Sequence, residues 1–145
     1  MKLDARFQTE SFDLELPVVY ILGFERDNEF VPVYVGESGH RICRYADYVR
    51  AQFGAPTDFT VGEAVRCLIE SGLTVLLKYS EAPTDKMRRK GEERELMDTL
   101  KGRHFKLLND LPSFSRLTAD KEVEQQRIRR FVHDTYLASS QSISF

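Results

Sequence analysis

The sequence predicts an α+β domain: a small three-stranded, mainly antiparallel sheet flanked by helices, with a further helix at the C-terminus. Three observations predict it. Two β-branched and aromatic runs, Val18–Phe24 and Phe30–Val35, lie either side of a short polar segment, Glu25–Glu29, which contains Asp27-Asn28; this is the pattern of a hairpin. A third such run, Leu73–Tyr79, follows two stretches of helical periodicity. The second half of the chain then carries two longer helical patterns. Three strands alone cannot cover an apolar face, so the helices must pack on the sheet. A chain of 145 residues is one domain, residues 1–145, by the usual prior.

Each element has its own reason. Phe12, Leu14 and Leu16 alternate as a short edge strand would, and Pro17 stops it. Pro32 restricts the second hairpin strand to an edge, a bulge or a strand start. Gly36 to Gly39 reads as a turn and His40 to Gln52 as a helix, which Gly54-Ala55-Pro56 breaks. Thr60 and Glu63 have the spacing of a capping box for a helix from Val61 to Ser71, closed by Gly72. Thr84 or Asp85 caps a long helix to about Leu100 and Gly102 ends it. Asn109 to Pro112 is a turn. The last helix runs from Lys121 to Ala138, with Val123, Ile128, Phe131, Val132 and Leu137 as its apolar stripe.

Composition excludes several classes. Hydrophobic residues at 41% and charged residues at 30% exclude an intrinsically disordered chain. No apolar run approaches the roughly 20 residues of a membrane span, so no membrane partner is expected. Met1 to Leu16 is too polar for a signal peptide. Cys43 and Cys67 form no CxxC pair, which argues against a zinc ribbon or a disulfide framework and for a reducing, cytoplasmic setting. The net charge of −2 is unevenly spread: residues 1–77 carry 7 basic and 12 acidic side chains, residues 78–145 carry 14 and 11. Lys86 to Lys106 alone holds 8 Lys/Arg against 4 acids. Such a stripe attracts phosphate locally, although a solvated face of i,i+4 ion pairs has the same composition.

Chemistry-bearing residues sit at matched places. Tyr20 ends Val18-Val19-Tyr20 on the first hairpin strand, and Tyr34 opens Tyr34-Val35-Gly36 on the second. Arg44 follows ten residues after Tyr34, and Tyr48 lies four further along the same helical face. Glu93 stands on the later helix, followed by Leu96-Met97, and Asn109 comes sixteen residues beyond it. Arg41 with Tyr45 repeats the Arg–Tyr pair one turn earlier, and Glu92 and Glu95 adjoin Glu93, so both choices have rivals.

In this order the five features resemble the GIY-YIG nuclease family over about residues 17–110. Val18-Val19 replaces the family's Gly-Ile, and the Tyr20-to-Tyr34 spacing is a few residues longer than its usual hairpin. The resemblance implies a GIY-YIG-like core at 17–110 with a C-terminal helical extension at 111–145. It implies a metal-dependent endonuclease that hydrolyses phosphodiester bonds of nucleic acid, DNA ahead of RNA, with one Mg²⁺ (or Mn²⁺) per active site. Glu93 is then the metal ligand, and Tyr20, Tyr34, Arg44, Tyr48, Glu93 and Asn109 are the catalytic set.

The residue types suit that reaction. Arg presents a permanently charged fork to phosphate oxygens. Mg²⁺ keeps several waters and needs few protein ligands, so one carboxylate suffices. Tyrosine, with an ordinary pKa of about 10, becomes a competent base beside a cation. Tyr20 is assigned as base, Tyr34 and Tyr48 as orienting groups, and Asn109 as a residue that positions the glutamate or closes the site. Arg41, Arg50, Lys86, Arg89, Lys90 and Arg103 form the expected phosphate-tracking surface. With no second nucleic-acid-reading domain expected, the protein would be weakly sequence-specific or would rely on a homodimer or a protein partner. The rival readings are a catalytically silent nucleic-acid-binding module of the same fold, and an interaction protein whose motif matches are coincidental.

Overall fold

The computed structural model describes residues 3–6, 17–39, 56–111 and 121–138. Four strands are present among them: β1 Leu3–Arg6, β2 Val18–Arg26, β3 Glu29–Ser38 and β4 Thr74–Glu81. All neighbours pair antiparallel, in the order β1-β4-β2-β3. The α+β class and the three expected strands are therefore found, and β1 is an addition. Its sequence, Leu-Asp-Ala-Arg, is short and has no β-branched or aromatic residue; it is a strand because β4 offers an edge, with Leu3 opposite Tyr79 and Arg6 opposite Leu76. The edge strand expected around Phe12–Leu16 lies outside the described residues.

The hairpin forms as its residues dictate. Asp27 and Asn28 both adopt positive φ, 53° and 64°, the left-handed pair that a two-residue type I′ connection requires and that Asp and Asn tolerate. The register slips between Leu22 and Gly23, which face Tyr34 and Pro32, leaving Val33 as the extra residue of a bulge. Pro32 is accommodated because β3 is an edge strand and the ladder is already irregular there.

Helix α1 spans Pro56–Glu70, longer at its start than the capping-box reading allowed. Proline has no N–H to lose at a first helical position and its φ is already helical, so Pro56 opens the helix; the helix expected at His40–Gln52 lies outside the described residues. Thr60 and Glu63 are consequently interior and buried, 8% and 2% exposed, and do not form an N-cap. The C-terminus follows the expected pattern: Gly72 has φ +85°, its N–H reaches Ile69 O and that of Leu73 reaches Leu68 O, a complete Schellman closure. Helix α2 spans Lys86–Gly102, with the Asp85 carboxylate accepting from Met87 N as N-cap. Its closure passes through His104, at φ 70°, while Gly102 stays in the last turn. A 3₁₀ turn at Leu108–Asp110 follows. Helix α3 spans Lys121–Val132 and loosens into a π turn at His133–Leu137.

Alternating residues of β2 face two clusters. Val18, Tyr20, Leu22 and Phe24 join Val61, Ala64, Val65 and Leu68 of α1 and Ile128, Val132 and Tyr136 of the C-terminal segment. Val19 and Ile21 join Val35, Leu100 and Leu107, with Leu96 and Met97 of α2 packed against them. Thus α1 and α3 cover one face of the sheet and α2 the other. Val123, expected in the apolar stripe, is 59% exposed.

Candidate functional site

The two hairpin tyrosines meet. Tyr20 faces Gly36 across the ladder and Tyr34 faces Leu22, so both rings rise from the α1/α3 face, with centroids 6.4 Å apart and planes inclined at 48°. Tyr20 is 5% exposed. Gly36 is required by this arrangement: a Cβ built there would lie 2.5 Å from Tyr20 Cζ and overlap its hydroxyl. The glycine that closes Tyr34-Val35-Gly36 is therefore the floor on which the Tyr20 phenol rests.

Asn109 acts on the same strand from its open side. Its Oδ1 accepts from Val35 N at 2.9 Å, and its Nδ2 donates to Val35 O at 2.8 Å. One carboxamide thus imitates a neighbouring strand and satisfies both outward-facing backbone groups of an edge residue. The side chain expected to position the glutamate or close the site pairs with the residue between Tyr34 and Gly36.

Glu93 belongs to the other face. Arg89, Glu93, Leu96 and Leu100 fall at helical spacing along the inner side of α2, whose apolar residues pack beside Val19, Ile21 and Val35. Burial pushes the Glu93 carboxyl above the ordinary carboxylate value; Lys90 opposes that, Glu37 adds to it and Arg94 opposes it. Glu37, the residue after Gly36, points to this face and is the partner the sequence reading missed. Its Oε2 accepts from Arg89 Nε at 2.8 Å, and Lys90 Nζ lies 3.8 Å from Oε1. The last residues of β3 thus serve two surfaces, with Tyr34 and Gly36 beneath Tyr20, and Val35 and Glu37 beneath α2. The tyrosine pair and Glu93 approach the end of β3 from opposite sides of the sheet.

Arg89 requires a correction. It was expected on the phosphate-tracking surface, but it is 6% exposed, and its guanidinium is consumed by Glu37, Pro83 O and Thr84 O. Lys86, Lys90 and Arg103 are exposed as expected. Arg41, Arg44, Tyr48 and Arg50 lie outside the described residues.

The residues fit a divalent cation in one specific way. No group of three or more His, Cys, Asp or Glu side chains among the described residues could hold a metal, so no cage built wholly of protein ligands is present there. Glu93, half-buried with Lys90 and Arg94 as well as Glu37 around it, could supply one carboxylate to such an ion and leave the other positions to water and substrate oxygens, as Mg²⁺ prefers.

A concavity of about 660 Å³ lies between α1 and the C-terminal segment, lined by residues including Cys67, Glu70, Arg129 and His133. Arg129 is held there by Glu70 and Glu63. No helix among the described residues is long and apolar enough to cross a membrane. No protein-family model, no curated protein and no solved structure matches this chain.

Proposed function

We propose that this chain is a GIY-YIG-type endonuclease that hydrolyses phosphodiester bonds of nucleic acid, DNA ahead of RNA, with one Mg²⁺ or Mn²⁺ ion. The observation that supports it most is the seating of the Tyr20 phenol on Gly36 beside Tyr34, on a strand whose far side leads through Glu37 to the desolvated Glu93. In this reading Tyr20 takes the proton of the attacking water and Tyr34 orients that water. Arg44 and Tyr48 hold the scissile phosphate and its developing charge. Glu93 holds the metal, which when bound would stabilise the leaving 3′ oxygen. Lys86, Lys90 and Arg103 on the exposed side of α2 and its end attract the backbone, so affinity falls with salt.

A second reading is favoured by one observation: the tyrosines and Glu93 belong to clusters on opposite faces of the sheet. A silent module of this fold would bind nucleic acid through α2 and leave the chemistry to a partner. Incubation with plasmid, single-stranded DNA and RNA, in Mg²⁺ and in chelator, separates the two. The nuclease reading expects metal-dependent cleavage that falls roughly 10²–10³-fold in Glu93→Gln and by about 10²–10⁴-fold in Tyr20→Phe. Binding at low salt without cleavage of any substrate would establish the silent module.

A further inference from the structure

We propose that Arg89 is a positioning residue: buried against Glu37, it fixes the rotation of α2 that turns Glu93 toward the end of β3. The inference rests on the nuclease reading and deepens it.

The geometry is that of a clamp. Arg89 joins its own helix and the connection that leads into it to the end of β3, fifty-two residues back. Its Nε donates to Glu37 Oε2 at 2.8 Å, at the end of β3. Its Nη1 donates to Pro83 O at 3.2 Å and to Thr84 O at 2.6 Å, in the connection from β4 to α2. Its Nη2 lies where a side chain on Gly39 would be, 2.5 Å from an ideal Cβ, so the turn after β3 is shaped to admit the guanidinium. A buried guanidinium is costly unless its donors find acceptors; Nε and Nη1 find three here, and a planar fork held in this way keeps one orientation, which a lysine cannot reproduce. Glu93 is one turn further along the same side of α2, so the angle at which Arg89 is locked is also the angle at which Glu93 leaves the helix.

The surrounding charges argue for positioning over simple neutralisation. Glu37 is already matched by Arg89, with Lys90 also nearby. Glu93 is left with Lys90 and Arg94 on its own helix and with the Glu37 charge against it. By occupying Glu37, Arg89 keeps that carboxylate on α2 and limits its repulsion of Glu93 to what a paired group exerts. Groups that orient a metal-binding residue change metal affinity or activity by about 10–100-fold when removed.

The test uses the full chain and has a readout besides cleavage. Mn²⁺ binding, without nucleic acid, is measured from the loss of the free-ion paramagnetic resonance signal, alongside the Mg²⁺ dependence of cleavage. Arg89→Met, Arg89→Lys and Glu37→Gln are compared with wild type and Glu93→Gln, each first shown to melt cooperatively. The expected result is a roughly 10–100-fold weaker Mn²⁺ affinity for Arg89→Met, with a matching rise in the Mg²⁺ needed for half-maximal cleavage and an unchanged KM for DNA at saturating metal. Arg89→Lys recovers part of the loss. Glu37→Gln, which still accepts from Nε, stays near wild type as the control that removes the Glu37 charge alone. Arg89→Lys, which keeps the charge without the fork, remains informative if Arg89→Met fails to fold: wild-type affinity and cleavage in Arg89→Lys, together with a wild-type or an unfolded Arg89→Met, would overturn the clamp and leave the nuclease reading standing. A wild type that neither binds Mn²⁺ nor cleaves would overturn both.

Discussion

Replacing Asn109 by alanine removes the carboxamide that pairs with both the N–H and the C=O of Val35, a residue that is 1% exposed. Each buried donor or acceptor left unpaired costs about 1–3 kcal/mol. Two such groups amount to about 2–6 kcal/mol; Asn109 itself is half-buried, so water reaches the gap in part and the sum settles near the lower end, at about 2–3 kcal/mol. With a urea slope of about 1–3 kcal/mol per molar, the midpoint falls by roughly 0.7–3 M with the slope unchanged. The melting temperature falls by roughly 4–12 °C. The chain has no tryptophan and six tyrosines, so far-UV circular dichroism is the natural probe. Asn109→Asp sharpens the test. Its carboxylate still accepts from Val35 N–H but turns a charge on Val35 O, whereas its protonated form can donate there. The variant's folded pKa is therefore raised, and its deficit against wild type is small at pH 3 and grows as pH rises through that pKa. A midpoint shift below about 0.3 M in Asn109→Ala, or a pH-independent deficit in Asn109→Asp, would refute the strand-mimicking role.

Three further outcomes follow from the same structure. The Glu93 carboxyl is pushed up by burial, so the native state prefers it protonated: the penalty is absent below the ordinary carboxylate pKa of about 4.3, appears as pH rises through the folded value and is complete at neutral pH. In chelator, Glu93→Gln should melt above wild type at pH 7 and level with it near pH 4; a lower melting point at pH 7 contradicts the desolvation argument. Glu63, 2% exposed, binds Arg66, Gln125 and Arg129 between α1 and α3. Because both arginines reach water, Glu63→Ala should cost about 2–4 kcal/mol, at or below the usual loss for a broken buried pair, and Glu63→Gln clearly less; equal losses in a denaturant titration would show that the charge, not the hydrogen bonding, matters. Burial raises the Cys67 thiol, with Arg129 only partly opposing, so a disulfide reagent at pH 8 should modify Cys67 more slowly than the same thiol in the urea-unfolded chain; equal rates would refute it.

What was legible in the sequence was whatever local chemistry decides. Asp27-Asn28 announced a tight hairpin because few residues accept two positive φ values in succession. Gly72 and Asp85 marked helix ends through their own backbone and side-chain needs. The Tyr20–Tyr34 meeting followed from strand pairing once the hairpin was recognised. The misreadings involve partners distant in sequence. Thr60 and Glu63 imitate a capping box, but Pro56 starts the helix earlier and burial among α1 and α3 takes them over. Leu3–Arg6 has no strand signature of its own and borrows one from β4. Arg89 reads as one more cation in a basic run, and nothing near it tells that Glu37 and Gly39, some fifty residues back, have been shaped to receive it. Glu37 and Gly39 were themselves visible as an acid and a small residue after Gly36, yet without the turn after β3 they had no addressee.

The closing turn of the C-terminal segment bears on what counts as a unit of inheritance. Tyr136 donates its hydroxyl to Lys106 O at 2.6 Å, receives the Arg26 guanidinium on its carbonyl, and meets Phe24 and Phe131 edge-on. With Ile128 and Val132, both fully buried, it supplies roughly 5–8 kcal/mol of apolar burial at about 1.5–3 kcal/mol per side chain, comparable to the whole stability of an ordinary domain. The segment that bears every motif residue, 17–110, is therefore shorter than the segment that can stand alone. A gene fusion or exchange cut at residue 110 would carry every motif residue and too little of the scaffold to keep them folded.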